Sequence, residues 1–295
     1  MAVRSELKFA FSMPQTFPSV VEPETIRSVL TRAEALGCFD SAWVSESVLT
    51  PAVNLEPLTL LTYAAACTHT LKLGTAVMLP ALRKPVHLAK ALATLDQLSN
   101  GRLILGFGLG GRTDIYPAFG LTPGTRLARF TEGLELMKSL WTQPKTTFEG
   151  RFWQVKDLAM EPKPVQQPHP PIWFGATAPS ALKRTAEIGS GYIGAAAQPT
   201  AAFAETMRTL RPMLAAAHKG PDQFTVMKRV FIVLDRDKET AHRRMVEFGQ
   251  RSGQTNLDQV AVWGAPEDCL EGLQQVVDAG ASVLAIATLF DHAEQ

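Results

Sequence analysis

Few residues of this 295-residue sequence stand where they could do acid–base chemistry. Two carboxylates follow apolar runs that have the length and composition of buried strands: Glu46 comes after Asp40 to Ser45, and Asp235 comes after Val226 to Leu234. The other predicted strands end in small or apolar residues. These ends lack the convergent Lys, His and carboxylate side chains that a hydrolase or an aldolase needs. They instead favour an apolar cavity for a flat cofactor that carries its own chemistry.

One stretch shows how strands and helices alternate. Apolar runs from Leu71 to Leu79 and from Leu103 to Leu109 flank a predicted helix from Pro85 to Leu98, whose apolar residues recur at helical spacing. Two buried strands joined by one helix lie parallel and form a βαβ unit. The alternation recurs and predicts eight strands: Leu7 to Ser12, Asp40 to Ser45, Leu71 to Leu79, Leu103 to Leu109, Ile172 to Gly175, Gly191 to Ala195, Val226 to Leu234 and Ser282 to Ala287.

Eight strands that alternate with helices predict an α/β fold, a (β/α)8 TIM barrel, and residues 1–295 are expected to form one domain. Two segments interrupt the alternation. Thr146 to Val155 alternates apolar and polar residues around Glu149 and Gly150, which predicts an inserted β-hairpin. Pro162 to Pro171 is rich in proline and predicts an extended linker. In such a barrel the functional residues lie at the carboxyl ends of the strands.

Composition excludes several classes of function. The net charge is +1 and the chain has no basic block, so we expect no nucleic-acid partner. No apolar stretch reaches the roughly 20 residues of a spanning helix, and the N-terminal apolar segment is too short for a signal peptide. We therefore expect a cytoplasmic protein without a membrane partner. The widely spaced Cys38, Cys67 and Cys269 indicate reduced thiols rather than disulfides or a metal site, and no metal is expected.

Four long motifs together resemble one known family. They are RAEALGCFDSAWVSE, EPLTLLTYAAACTHTLKLGTAVMLP, RKPVHLAKALATLDQLSNGRLILGFGLG and PKPVQQPHPPIWFGATAPSALKRTAEIGSGYIG. In these motifs the sequence is similar to the bacterial luciferase-like flavin monooxygenase superfamily, and it most resembles the F420-dependent oxidoreductase group. The resemblance implies a (β/α)8 barrel, usually a homodimer, that binds the deazaflavin F420, or alternatively FMN, in the strand-end cavity. It also implies a small organic molecule as the substrate.

The resemblance further implies where the cofactor ring lies. Members of the family have a non-proline cis peptide bond under the ring, and here it is expected between Ala76 and Val77, with the bond between Thr75 and Ala76 as the alternative. Small residues at other strand ends complete the expected contacts with the cofactor: Ser12, Gly108 and Gly110.

The expected phosphate anchor is the segment that contains Gly175, Ala176, Thr177 and Ser180. Here a predicted strand runs into the first turn of a predicted helix, where free backbone amides and the helix dipole favour an anion. The hydroxyl groups of Thr177 and Ser180 add donors. An ordinary helix cap would use the same residues, and it does not exclude a bound phosphate.

Glu46 and Ser47 are the expected catalytic residues, but the pair departs from the family pattern. Many relatives place a histidine directly after the glutamate of the second strand, whereas this chain has Ser47. Glu46 is the expected acid–base or ring-orienting group, with a helix-start carboxylate as the alternative. The leading function is hydride transfer between reduced F420 or FMN and an organic substrate.

Three other functions stay open at this stage. The first is an FMN-dependent monooxygenase that uses oxygen. The second is a non-enzymatic flavin-binding protein, because Ser47 replaces the expected histidine. The third is a phosphate-binding barrel lyase without a redox cofactor, which is disfavoured because no predicted strand ends in a lysine.

Overall fold

Parallel strands alternate with helices through residues 7–290, the part of the chain that the computed structural model describes. The strands are β1 (Lys8–Ser12), β2 (Thr16–Phe17), β3 (Phe39–Val44), β4 (Val53–Asn54), β5 (Lys72–Thr75), β6 (Leu103–Phe107), β7 (Thr146–Glu149), β8 (Gln154–Leu158), β9 (Ile172–Phe174), β10 (Gly191–Gly194), β11 (Thr225–Leu234), β12 (Ala261–Gly264) and β13 (Val283–Thr288). The α-helices are α1 (Pro23–Leu36), α2 (Pro57–Cys67), α3 (Pro85–Leu98), α4 (Arg126–Thr142), α5 (Pro179–Ile188), α6 (Thr200–Ala216), α7 (Lys238–Ser252), α8 (Leu257–Val260) and α9 (Pro266–Ala279).

The strand order closes on itself, so the fold is a (β/α)8 barrel. Its eight strands follow the order β1, β3, β5, β6, β9, β10, β11 and β13, and β13 pairs with β1. β12 stands outside this ring and pairs with β11. The order of the ring strands is also their order along the chain, as expected for repeated βαβ units.

The described chain divides into two compact units. The first unit comprises residues 7–14, 22–43 and 173–290, and the second comprises residues 15–21 and 44–172. In the first unit, an apolar core packs strands β10, β11 and β13 against helices α5, α6 and α9. Tyr192, Phe203 and Leu210 are fully buried in this core.

In the second unit, Arg102 joins α2 to the segments that lead into β5 and β6. Its guanidinium group donates hydrogen bonds to the carbonyl oxygens of Ala65, Thr68, Leu71 and Ser99 and to the hydroxyl oxygen of Thr68, at 2.7–3.0 Å. Each of these oxygens belongs to a helix end or a loop, where no regular ladder supplies a donor. A single side chain therefore supplies the donors for carbonyl oxygens at the end of α2 and in the segments that lead into β5 and β6.

The predicted hairpin is also in the second unit. Strands β7 and β8 pair antiparallel, and the turn between them is held by Glu132 on α4. The Glu132 carboxylate accepts hydrogen bonds from the backbone N–H groups of Arg151, Phe152 and Trp153 at 2.8–3.0 Å. The hairpin is thereby fixed to the helix that precedes it in the chain.

The eight predicted barrel strands and the hairpin are confirmed, with two differences. The strand predicted from Leu71 to Leu79 ends at Thr75 as a regular ladder, because the Ala76 N–H bonds to the Val44 carbonyl oxygen and Met78 forms only an isolated bridge with Phe107. Strand β12 was not predicted. It has only four residues, and so short an apolar run cannot be assigned to a strand from its periodicity alone.

Replacing Arg102 with Met should destabilise the protein, because several carbonyl oxygens in helix ends and loops would lose their donor. We expect the free energy of unfolding to fall by roughly 2–4 kcal/mol. Urea denaturation measures this loss. The matched control is Arg27→Met at an exposed position of α1, for which we expect a change within about 0.5 kcal/mol. Equal stability of the two variants would contradict the role of Arg102.

Candidate active site

Glu46 lies two residues beyond the end of β3, and its side chain is 0% exposed. One carboxylate oxygen accepts a hydrogen bond from the Leu79 backbone N–H, and the other forms an ion pair with the Arg83 guanidinium group at 2.5 Å. The carboxylate therefore faces the segment that follows β5. It caps no helix, so the alternative of a helix-start carboxylate was wrong for Glu46.

Arg83 is shared between two carboxylates. A second guanidinium nitrogen lies 2.9 Å from the carboxylate of Glu56, whose side chain is 47% exposed. Glu56 is the N-cap of α2 and accepts the Thr59 backbone N–H at 2.7 Å. Neither Arg83 nor Glu56 was predicted from the sequence. For Glu56 a signal was available, because a polar residue directly before a proline is a common start of a helix, and Glu56 precedes Pro57.

The two carboxyl groups that share Arg83 have pKa values shifted in opposite directions. Burial raises the pKa of Glu46 above its ordinary value, although the charge of Arg83 and the Leu79 N–H act against this rise. Burial would also raise the pKa of Glu56, but hydrogen bonds from Thr59 and Arg83 outweigh it and lower that pKa. Glu46 is therefore the member of the pair that binds a proton more readily, as an acid–base group must.

Ser47 follows Glu46 and is exposed. Its hydroxyl group has no hydrogen-bond partner among residues 7–290. The predicted pair Glu46 and Ser47 thus has one buried, paired member and one member open to solvent. Of the two, only the Glu46 carboxyl group has an environment that shifts its pKa.

The peptide bond between Ala76 and Val77 is cis, which confirms the expected position. Hydrogen bonds hold both flanks of this bond. On one side, the Thr75 hydroxyl donates to the Gly106 carbonyl oxygen at 2.8 Å and accepts the Gly106 N–H at 3.0 Å. On the other side, the Met78 N–H donates to the same Gly106 oxygen at 2.8 Å, and the Met78 carbonyl oxygen accepts the Gly108 N–H at 2.9 Å.

Gly110 has a backbone that favours glycine. Its φ is +68°, and a Cβ atom there would lie 2.9 Å from Cδ1 of Leu79. Both conditions disfavour a side chain. Gly110 therefore lets the chain after β6 pass close to the segment that pairs with Glu46. Of the two predicted glycines, Gly108 is bound to Met78 and Gly110 contacts Leu79.

In the first unit, Ser12 at the end of β1 is next to a cation that sequence analysis missed. The Ser12 hydroxyl oxygen accepts a hydrogen bond of 3.4 Å from the guanidinium group of Arg229 on β11. Burial lowers the pKa of Arg229 to about 10, so the group stays charged at neutral pH. A residue in the interior of a strand gives no sequence signal that it approaches the end of another strand.

Lys228, also in the interior of β11, reaches the end of a neighbouring strand with its side chain. Gly194 at the end of β10 is its register partner, and the ammonium group donates to the carbonyl oxygen of Ala195 at 2.6 Å. Burial and the charge of Arg229 lower the pKa of Lys228 to about 7. The side chain is 2% exposed and its ammonium group lies over the Phe203 ring, so it is not open to a substrate as a lyase nucleophile.

The expected phosphate anchor has the predicted local structure. Strand β9 ends at Phe174, and α5 begins at Pro179 without a side-chain cap. Thr177 and Ser180 are exposed, and their hydroxyl groups have no hydrogen-bond partner in the described part of the chain. Open amides and unpaired hydroxyl groups fit an anionic group such as a cofactor phosphate.

Asp235, the second carboxylate predicted at a strand end, is paired with Arg244 at 2.7 Å, which lowers its pKa.

Residues 8–256 match the profile of the luciferase-like monooxygenase family. The chain belongs to this family. The match covers every barrel strand except the last and includes the segments that contain Glu46, Ala76, Val77 and Thr177.

Two relatives of this luciferase-like protein differ in how much of the chain they match. An uncharacterized protein of Mycobacterium tuberculosis is 43% identical over 123 residues, which are 42% of this chain and 43% of that protein. The match therefore spans less than half the length of that relative. The F420-dependent glucose-6-phosphate dehydrogenase of Kineococcus radiotolerans is 30% identical over 291 aligned residues, which cover 88% of this chain and 85% of that enzyme.

A solved structure shares the fold of this luciferase-like protein. The monooxygenase of Streptomyces bottropensis superposes with a TM-score of 0.84 at 24% identity, over 98% of this chain and 95% of that chain. At this identity the likeness shows the (β/α)8 fold. Among residues 7–290, no helix is both long and apolar enough to cross a membrane.

The raised pKa of Glu46 predicts how the carboxyl group contributes to stability. The contribution is fully present below the ordinary value of 4.5 and is lost as the pH rises through the folded-state pKa. We therefore expect the free energy of unfolding of the wild type, minus that of Glu46→Gln, to decrease between about pH 4 and pH 8. Urea denaturation over this range measures the difference. The same comparison with Ser47→Ala is the control and should not vary with pH, whereas an increasing difference for Glu46→Gln would contradict the raised pKa.

Proposed function

We propose that this protein is an oxidoreductase that passes a hydride between F420 and a small organic substrate. The observation that carries the proposal is the similarity, over most of the chain, to the F420-dependent dehydrogenase of Kineococcus radiotolerans. The chemistry of the strand ends agrees with it. One buried carboxyl group with a raised pKa suits a reaction in which the cofactor transfers the hydride and the protein transfers a proton.

When bound, the deazaflavin supplies the hydride chemistry. Glu46 holds the proton that the substrate gains or loses in the same reaction, because burial raises its pKa toward the range in which it can both bind and release a proton. Arg83 and the Leu79 N–H fix the carboxylate in one position. Ser47, the exposed neighbour of Glu46 in the chain, contributes its hydroxyl group.

The remaining predicted residues bind the cofactor in this proposal. In the first unit, Thr177 and Ser180 would hold the phosphate through their hydroxyl groups, together with backbone amides of Gly175 and Ala176. The residues that would bind the ring are the small ones at strand ends: Ser12 in the first unit, and Ala76, Val77, Gly108 and Gly110 in the second.

A second candidate is an FMN-dependent monooxygenase that uses oxygen. The observation that favours it is membership of a family whose name describes monooxygenases. The same chain residues would serve, since FMN also has a flat ring and a phosphate. The choice of cofactor therefore distinguishes the two candidates.

Titration of the purified protein with F420 and, separately, with FMN tests the function. We expect the absorption and fluorescence of F420 to change on binding and those of FMN to stay constant over the same range. Binding of FMN alone would support the monooxygenase instead. Failure of both cofactors to bind would contradict the proposal.

Thr177→Glu and Ser180→Glu should each weaken binding of the cofactor by about 1.5–3 kcal/mol, which is roughly tenfold or more, because an acidic group repels the phosphate.

The matched control for these two variants is Thr31→Glu. Thr31 is an exposed threonine on α1, and its hydroxyl group donates to the Arg27 carbonyl oxygen within the same helix. The control adds the same charge to the same unit away from α5. If it weakens binding as much as Thr177→Glu does, the anchor is not at the start of α5.

We also propose that the protein is a cytoplasmic homodimer in which α2 and α3 supply much of the interface. Both helices present apolar or small side chains to solvent. Tyr63 is 37% exposed and Val86 is 42% exposed, and Ala66 and Ala91 are exposed beside them. A symmetric dimer would bury this patch against its copy.

Light scattering at micromolar concentration tests the dimer. We expect the mass of two chains for the wild type and the mass of one chain for the double variant Tyr63→Glu/Ala91→Glu, because burying two like charges at a symmetric interface is unfavourable. Leu270→Glu is the control. Leu270 is 68% exposed on α9, so this variant should remain dimeric. A wild type that is monomeric would rule out the interface.

A further inference from the structure

Gln15 is a buried polar residue that lies outside the family motifs. It is 6% exposed and follows Pro14 in the loop between β1 and β2. Its side-chain amide N–H groups donate to the carbonyl oxygens of Ser45 and Leu55, both at 2.7 Å. Its side-chain oxygen accepts the Ser45 backbone N–H at 2.8 Å. Its own carbonyl oxygen accepts the Leu55 N–H at 3.1 Å.

The two segments that Gln15 joins are those that present the carboxylates of the site. Ser45 directly precedes Glu46, and Leu55 directly precedes Glu56. A side chain that binds the backbone on both sides fixes the spacing between these two loops. Loops without such a tie are mobile, and a buried amide with all its hydrogen bonds made gives one defined arrangement.

Arg83 forms ion pairs with the carboxylates of both loops. It pairs with the fully buried carboxylate of Glu46 on one side and with the half-exposed carboxylate of Glu56 on the other. The arrangement has one positive and two negative charges. When Glu46 takes up a proton, Arg83 keeps the Glu56 carboxylate as its partner, so no buried cation is left without a counter-charge.

We propose that Gln15 is a positioning residue that holds Glu46 and Glu56 at two different nitrogens of the Arg83 guanidinium group, so that Glu56 acts on Glu46 through this shared arginine. This inference rests on the proposed function only for its role in catalysis. Gln15 itself touches neither carboxylate. Its effect passes through the backbone of Ser45 and Leu55.

The groups that face Glu46 give the sign of this effect. Burial is the main cause of the raised pKa of Glu46; Arg83 and the Leu79 N–H act against it, and the negative charge of Glu56 adds a smaller rise. Removing the charge of Glu56 leaves Glu46 with an Arg83 that it does not share, so we expect the Glu46 titration midpoint to fall. This fall depends on Glu56 being held at Arg83, which is the task assigned to Gln15.

The test is a double-variant titration. The side-chain carboxyl of Glu46 is followed by NMR in protein labelled with 13C at glutamate carboxyls, and its signal is assigned with Glu46→Gln. We expect Glu56→Gln to lower the Glu46 midpoint in the wild-type background. In the Gln15→Met background, the same substitution should produce less than half of that shift. Equal shifts in the two backgrounds would overturn the proposal.

Controls separate positioning from general loss of stability. Gln166→Met removes another partly buried amide in the second unit, one that donates to Asp96 and to the Leu103 carbonyl oxygen. The full shift should persist in that background, and its loss there would overturn the proposal. If Gln15→Met does not fold, Gln15→Glu replaces it, since it keeps the acceptor for the Ser45 N–H and loses both donors. Its added charge is common to both arms of the comparison and cancels in the difference.

Activity supplies a second readout. With F420 bound, Gln15→Met should lower kcat by up to about tenfold, because the substitution displaces Glu46, the proton carrier. The Kd for the cofactor should stay within about twofold of the wild-type value. A parallel loss of cofactor affinity would overturn the positioning role. The NMR experiment needs no cofactor, so a protein that binds no F420 yet shows the predicted coupling would overturn the proposed function alone.

Discussion

The cost of burying the Glu46 carboxylate determines much of the structure around it. A buried carboxylate requires a cation and N–H donors, because a charge without partners in the interior is strongly unfavourable. Arg83 and the Leu79 N–H meet this requirement. To provide them, the chain leaves the regular ladder of β5 at Thr75 and places Arg83 just before α3.

Sharing one arginine between two carboxylates gives them different properties. Glu56 lies at the exposed end and caps α2, so its charge is well supported. Glu46 lies at the buried end, where desolvation dominates. The family resemblance implied a histidine directly after this glutamate, and this chain has Ser47 there. Glu46 itself is a proton-binding group at this end of β3, because burial raises the pKa of its carboxyl group.

The parts of the fold and site that were predictable depend on local patterns. The barrel strands, the hairpin and Glu46 follow from runs of neighbouring residues, and the cis bond between Ala76 and Val77 follows from a family motif. Arg83, Gln15 and Arg229 were not predicted. Each acts on a segment distant in sequence through a long side chain, such as Gln15 on Leu55. A single sequence carries no signal for such contacts, because they depend on how loops meet after folding.

Strand β12 has a consequence for how this fold can change over evolution. The eight strands of the ring pair on both sides, so the ring has no edge to which a further strand could be added without opening it. β11 departs from this rule, because its first four residues pair with β10 and its last four pair with β12. β12 in turn has one edge that no strand among residues 7–290 covers. New strands inserted into the chain can attach there and enlarge the sheet while the ring that carries Ser12 and Glu46 stays intact.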